Sequence, residues 1–129
     1  MIVKQISVFL ENKPGSIEEL TNDTGKAGIN IEALTIAETA EFGIVRMIVD
    51  DWEHARDALD PEYQIRVTDV IRVAPKDEPG KLSEVLRKLS ESGINVSYMY
   101  GYAKGDQPYL IMKVSDPEKA ATLIAQDVQ

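Results

Sequence analysis

Residues 12–30 read NKPGSIEELTNDTGKAGIN, and residues 77–95 read DEPGKLSEVLRKLSESGIN. The two stretches stand 65 positions apart, so that Pro14-Gly15 falls on Pro79-Gly80 and Gly28-Ile29-Asn30 on Gly93-Ile94-Asn95. At the same offset Met47, Val49, Asp51, Glu53 and Ala55 fall on Met112, Val114, Asp116, Glu118 and Ala120, and 14 of the first 64 positions are identical. Average residue usage would give roughly 4. A constant offset without gaps means that one supersecondary unit has been duplicated.

Each copy reads in the same order. Residues 2–10 (IVKQISVFL) and 70–74 (VIRVA) are rich in β-branched residues and end before a Pro-Gly breaker, as strands do. Ile17, Leu20, Thr24 and Ala27, and then Leu82, Val85, Leu86 and Leu89, recur at spacings of three and four, the mark of a helix with one buried stripe. Proline just before each helix suits its first turn, where an amide donor would lack a partner. Gly28 and Gly93 stop the helices by accepting a left-handed conformation. Ile29–Ala37 and Ile94–Tyr102 form second strands, and Gly43–Val49 and Tyr109–Val114 third strands, with turns at 40–42 and 104–107. Asp51 and Asp116 cap a second helix in each copy. Tyr63–Val67 closes the first copy as a fourth strand.

The order βαββαβ packs two helices on one face of an antiparallel sheet, so the fold class is α+β, two ferredoxin-like units in tandem. The units are expected at 1–68 and 69–129. The counterpart of Ile65–Val67 would fall beyond Gln129, so the second unit is expected to lack its last strand. Only Thr68-Asp69 separates Ile65–Val67 from Val70–Val73, and the sheets are expected to share an edge or a continuous strand. The bare edge near Val70–Ala74 invites strand addition. A homodimer or a covering partner is expected there or across the tyrosines of the second unit, unless Ile65–Val67 covers the edge internally.

Composition excludes several classes. The chain of 129 residues is 43% hydrophobic and 28% charged and suits one or two small domains. No run of about 18 apolar residues is present to span a membrane. Ile2–Leu10 carries Lys4 and Gln5 without a small-residue cleavage site and reads as structure, not as a signal peptide. Cysteine is absent, which removes disulfides, thiolate metal sites and thiol chemistry and is compatible with the expected cytoplasmic location. Net charge is −8, against nucleic acid and anionic membrane surfaces, which reward a positive footprint. Residues 1–64 hold 5 Lys/Arg and 13 Asp/Glu (5 − 13 = −8), and residues 65–129 hold 9 of each (9 − 9 = 0).

Amides at a helix N-terminus point outward unsatisfied, with partial positive charge from the helix dipole, and a small carboxylate can dock on them. Asn12 offers both a donor and an acceptor to an α-amino acid. The plainer alternative is that Pro-Gly only sets the turn and Asn30 bonds locally. The stretches SVFLENKPGSIEEL with KAGINIEALTIAE, and VAPKDEPGKLSEVL with ESGINVSYMY, resemble tandem ACT-domain proteins, amino-acid-sensing regulatory modules. The resemblance covers nearly the whole chain. It implies paired units with amino acids bound at the seam between them, near the loop before the first helix and the start of the second strand. Carried across by position, this points to Asn12, Pro14, Gly15 with the following amide of Ser16, and Asn30. In the second copy it points to Pro79, Gly80 and Asn95, with Asp77 in place of Asn12. An ionised Asp77 repels a carboxylate, so one good site is expected at the first loop and an altered one at the second.

Other features weigh less. Thr24 stands where the second copy has Leu89, either facing a polar ligand or bonding back to its own helix. Tyr98, Tyr100 and Tyr102 share one strand face and fit a pocket wall, sheet packing or a subunit interface. His54, the lone histidine, reads as an exposed helix residue, since no nucleophile motif accompanies it and its counterpart is Lys119. Asp50, Asp51 and Glu53 read as a solvated helix start and not a metal site. Gly101 and Gly105 lack phosphate-loop spacing. RNA recognition by this fold needs basic flanks, and metal chaperoning needs a cysteine pair. The reading is therefore a non-enzymatic sensor of a free amino acid, with no metal or cofactor. Its expected partners are its own second copy and a metabolic enzyme. The alternative is a ligand-independent regulatory or structural subunit docking on such an enzyme.

Overall fold

The computed structural model describes residues 1–39 and 41–125; Ala40 of the expected turn at 40–42 and residues 126–129 of the expected second unit lie outside them. The elements follow in the order β1 (Ile2–Glu11), α1 (Ser16–Lys26), β2 (Ile31–Glu38), β3 (Phe42–Val49), α2 (Trp52–Leu59), β4 (Gln64–Val73), α3 (Lys81–Glu91), β5 (Val96–Lys104), β6 (Gln107–Val114) and α4 (Pro117–Ala125). The chain divides into two compact units, Lys4–Thr68, and Met1–Val3 with the chain from Asp69 on.

In Lys4–Thr68 the strand order is β2-β3-β1-β4. Ile6 and Val8 of β1 stand opposite Met47 and Val45 of β3 on the face that meets the helices. Leu20 of α1, with Ala55 and Leu59 of α2, closes this core, and Ile65 and Val67 of β4 pack at its margin. In the other unit the order is β4-β6-β5, and Ile71 stands opposite Met112, the same Ile–Met pair as Ile6 and Met47. Ile71, Val73, Ile94, Met112, Val114 and Ala120, the counterparts of Ile6, Val8, Ile29, Met47, Val49 and Ala55, form its core with Leu89. The repeat's apolar identities are thus core positions, because a duplicated sheet-and-helix sandwich buries the same face twice.

The turns repeat to the atom. Gly15 and Gly80 precede α1 and α3 with φ of 89° and 86°, a left-handed conformation that a side chain would strain. Their carbonyls accept from Glu19 N and Glu84 N at 3.0 and 3.1 Å. Asp51 Oδ1 accepts from His54 N and Asp116 Oδ1 from Lys119 N, each at 3.1 Å, so both expected caps are present.

At β4 the expected continuous strand is present, and the expectation of a bare edge changes. Ile65–Val67 and Val70–Val73 are a single strand that runs through Thr68-Asp69. Its edge in the second unit is met at Arg72, whose N–H donates to the Met1 carbonyl at 2.8 Å while the Met1 ammonium donates to the Arg72 carbonyl at 3.3 Å. Exposed strand groups take the partner at hand. A chain's first residue has no periodicity to announce that role. Burial, with the Arg72 charge second, holds the Met1 ammonium below the usual α-amino range.

Candidate functional site

The two Pro-Gly loops share a backbone and differ in what surrounds it. Lys13 N donates to the Glu11 carbonyl at 3.0 Å and Ser16 N to the Lys13 carbonyl at 3.3 Å; in the second loop Glu78 N donates to the Lys76 carbonyl at 2.9 Å and Lys81 N to the Glu78 carbonyl at 3.3 Å. Among the described residues no side chain caps α1 or α3. The first-turn dipole therefore faces out in both copies.

In the first copy Asn12 is engaged. Its Nδ2 donates to Glu38 Oε2 at 3.3 Å and to the Thr39 carbonyl at 3.5 Å, and its N–H donates to the Glu41 carbonyl at 3.0 Å. These bonds draw the loop onto the end of β2. Pro14 and Gly15 are exposed, while Ser16 is buried at the helix start. Asn30 lies at the other end of α1, eleven residues long and so about 16 Å at 1.5 Å per residue. Its N–H donates to Asp50 Oδ1 at 3.1 Å, and its carbonyl accepts from Asp50 N at 3.1 Å. Asn95 does the same with Ser115, at 3.0 and 2.9 Å. Neither asparagine stands beside the Pro-Gly loop of its own copy.

The second copy opens at its loop. A hollow of about 370 Å³ lies between Pro75–Glu78, Leu82 of α3, and the hairpin residues Gly101–Ala103 and Pro108–Leu110. Its floor is apolar, and Lys76, Asp77 and Glu78 hold its rim. Among the described residues, none of these three carries a side-chain hydrogen bond or ion pair within the protein. Gly80 borders instead a groove of about 500 Å³ along α3 with Ser83, Leu86, Arg87 and Ser90; Leu82 touches both spaces. Sequence reasoning singled out Asp77 and, as one reading of the tyrosine face, Tyr102; it weighed Gly101 only as a phosphate-loop glycine and passed over Ala103, Pro108 and Leu110. The signal was present in the repeat, since Gly101 and Ala103 stand where the first copy has Ile36 and Glu38.

The remaining candidates have structural partners. Thr24 is fully buried, and its hydroxyl donates to the Leu20 carbonyl at 2.7 Å, so it bonds back to its own helix. Asp23 beside it accepts from the Tyr63 hydroxyl at 2.6 Å. Burial first, and then that bond and nearby carboxylates, hold the Tyr63 phenol well above the ordinary tyrosine range. Tyr102 stacks on Tyr109 with ring centroids 5.3 Å apart, and the Arg72 guanidinium lies 5.0 Å over Tyr109 and donates to the Tyr102 hydroxyl at 3.4 Å. His54 is more than an exposed helix residue: its Nε2 lies 2.8 Å from the Ala27 carbonyl at the end of α1. Lys119 Nζ makes the same bond to the Ser92 carbonyl at the end of α3, at 3.0 Å. Among the described residues no three metal-binding side chains converge, and no helix is long and apolar enough to cross a membrane.

The comparisons with known proteins accord with this architecture. The model of the ACT domain pair matches residues 1–128. A crystal structure of a Bacteroides thetaiotaomicron protein is 38% identical, with 98% of this chain and 89% of that one covered and a TM-score of 0.91. The ligand-free regulatory subunit of aspartate kinase from Thermus thermophilus has the same fold at 13% identity, covering 100% and 98% of the two chains with a TM-score of 0.70. The corresponding subunit from Thermus flavus gives 12%, 100%, 96% and 0.65. No curated protein matches at a significant level. With the order βαββα repeated in two units and the family model matched almost end to end, this chain belongs to the ACT domain pair family.

Proposed function

We propose that this chain is a non-catalytic regulatory module that binds a free amino acid and reports its level to a metabolic enzyme. The observation that carries the reading is the hollow at the second Pro-Gly loop, with both signs of charge on its rim and an uncapped helix start beside it. An α-amino acid is a zwitterion and needs both signs within a few ångströms. Lys76 and the first-turn amides of α3 suit its carboxylate, and Asp77 and Glu78 suit its ammonium. Asp77 is thus the ammonium partner, a role opposite to the repulsion expected of it from sequence. The fold likeness to aspartate kinase regulatory subunits supports a regulatory role.

Binding that favours one arrangement of the protein shifts its population and changes its grip on a partner. The test is a thermal-shift screen of the twenty amino acids. At 100 times the dissociation constant a ligand stabilises by about 2.7 kcal/mol, which is readily seen. A flat response to all twenty at millimolar concentration overturns the reading. Capture of an enzyme despite a flat screen would establish the ligand-independent alternative. We extend the proposal to a cytoplasmic homodimer, which a monomer by light scattering at micromolar concentration would refute.

A further inference from the structure

We infer that the second unit is the ligand-bearing copy and that it takes an α-amino acid with a large apolar side chain. This deepens the proposed function and rests on it. The two copies differ at a few matched positions, and duplication makes each the control for the other.

On the helix-facing side of the second hairpin, Gly101 stands opposite Leu110 and Ala103 opposite Pro108. At the matching positions Ile36 stands opposite Val45 and Glu38 opposite Gly43. The first copy therefore places a branched side chain and a carboxylate chain where the second has a hydrogen and a methyl. Glu38 also accepts from Asn12 and draws the loop down. In the second copy neither half of that bond exists, since Asp77 ionised has no donor and Ala103 no acceptor. The loop stays off the strand and the hollow stays open.

The chemistry of the walls then selects the ligand. Pro75, Leu82, Ala103, Pro108 and Leu110 offer no hydrogen-bonding side chain, Tyr102 and Tyr109 line the space as a stacked pair whose Tyr102 hydroxyl already accepts from Arg72, and the charges belong to the exposed Lys76, Asp77 and Glu78. A ligand held there by its zwitterion directs its side chain to the apolar floor. A charged side chain would lose water there without gaining a partner. About 370 Å³ lies near the lower end of the roughly 300–1,000 Å³ typical of small-molecule sites. One amino acid fits; glycine or alanine would leave the floor uncovered.

The experiment is calorimetric titration of the whole chain with leucine, isoleucine, methionine and phenylalanine, and with glycine, serine, aspartate and lysine for contrast. Leucinamide and 4-methylpentanoate probe the two charged ends. At least one large apolar amino acid should bind tenfold or more tighter than all four contrast ligands, and neither end-modified probe should bind comparably. Gly101→Ile installs the first copy's residue. A Cβ at Gly101 meets Leu110 Cδ2 at 3.5 Å and the Tyr109 carbonyl at 3.6 Å, both ordinary contacts. This variant should lose binding at least tenfold while keeping its circular dichroism spectrum. Should it not fold, Asp77→Asn, which leaves the core untouched, should weaken binding at least tenfold. Preferential binding of a small or charged amino acid, or apolar binding unaffected by these variants, overturns the inference and leaves the proposed function standing. Silence toward all four large apolar amino acids overturns the inference, and silence toward all twenty in the thermal-shift screen overturns the proposed function with it.

Discussion

The paired bonds from α2 to the end of α1 and from α4 to the end of α3 give a measurable consequence of the duplication. The last carbonyls of a helix lack partners within it. His54 Nε2 meets the Ala27 carbonyl at 2.8 Å, and because a carbonyl only accepts, that nitrogen carries the proton. Lys119 Nζ meets the Ser92 carbonyl at 3.0 Å. A net hydrogen bond contributes about 0.5–1.5 kcal/mol, and a cation near a helix C-terminus about 0.3–1 kcal/mol more. Both bonds are solvent-exposed, so the lower half of these ranges applies. His54→Ala should cost about 0.5–1 kcal/mol, counting the hydrogen bond alone, and Lys119→Met, which keeps the aliphatic stem but also removes a cation from the helix end, about 0.8–1.6 kcal/mol. The deciding variant is His54→Lys, which imports the other copy's residue and should recover most of the loss. Urea unfolding followed by circular dichroism reads these as midpoint shifts at constant slope. If His54→Lys is as unstable as His54→Ala, or if both deletions are silent, the bonds are geometric coincidence and the equivalence of the two residues is wrong.

Three further outcomes follow from the same geometry. Asp51→Ala should lower stability by about 1 kcal/mol in urea unfolding, because it frees the His54 N–H at the start of α2. Thr24→Val should change stability by no more than about 0.5 kcal/mol in the same assay and leave amino-acid binding intact, since the Leu20 carbonyl keeps its helix partner and a buried hydroxyl becomes a methyl. Tyr63→Phe should cost about 1 kcal/mol at neutral pH. The folded phenol's pKa is raised, so its contribution is complete below the unfolded value of about 10 and fades as pH rises beyond it. The gap between wild type and Tyr63→Phe should therefore narrow from pH 8 to pH 10.5 in paired urea titrations.

What the sequence makes legible is whatever must be the same in both copies. Ile6 and Ile71, Met47 and Met112, and Ala55 and Ala120 are alike because each packs between sheet and helix, and close-packed interiors resist change of volume. Asp51 and Asp116 are alike because a helix start needs an acceptor at a fixed offset. The hollow is written instead in what differs. Gly101 and Ala103 against Ile36 and Glu38, and Asp77 against Asn12, carry no periodicity of their own; each acquires meaning only once the register puts it beside Leu110, Pro108 or Glu38. From sequence the first loop is favoured, because the resemblance points to Asn12 and an ionised Asp77 in its place repels a carboxylate. Its amide is already bonded to Glu38 and the Thr39 carbonyl, and a ligand would have to displace those bonds before gaining its own. The second loop, poorer in donors, has charges that no side chain among the described residues engages, and a floor beneath them. In a duplicated fold the copy that lacks an internal bond is therefore the better place to look for an external one.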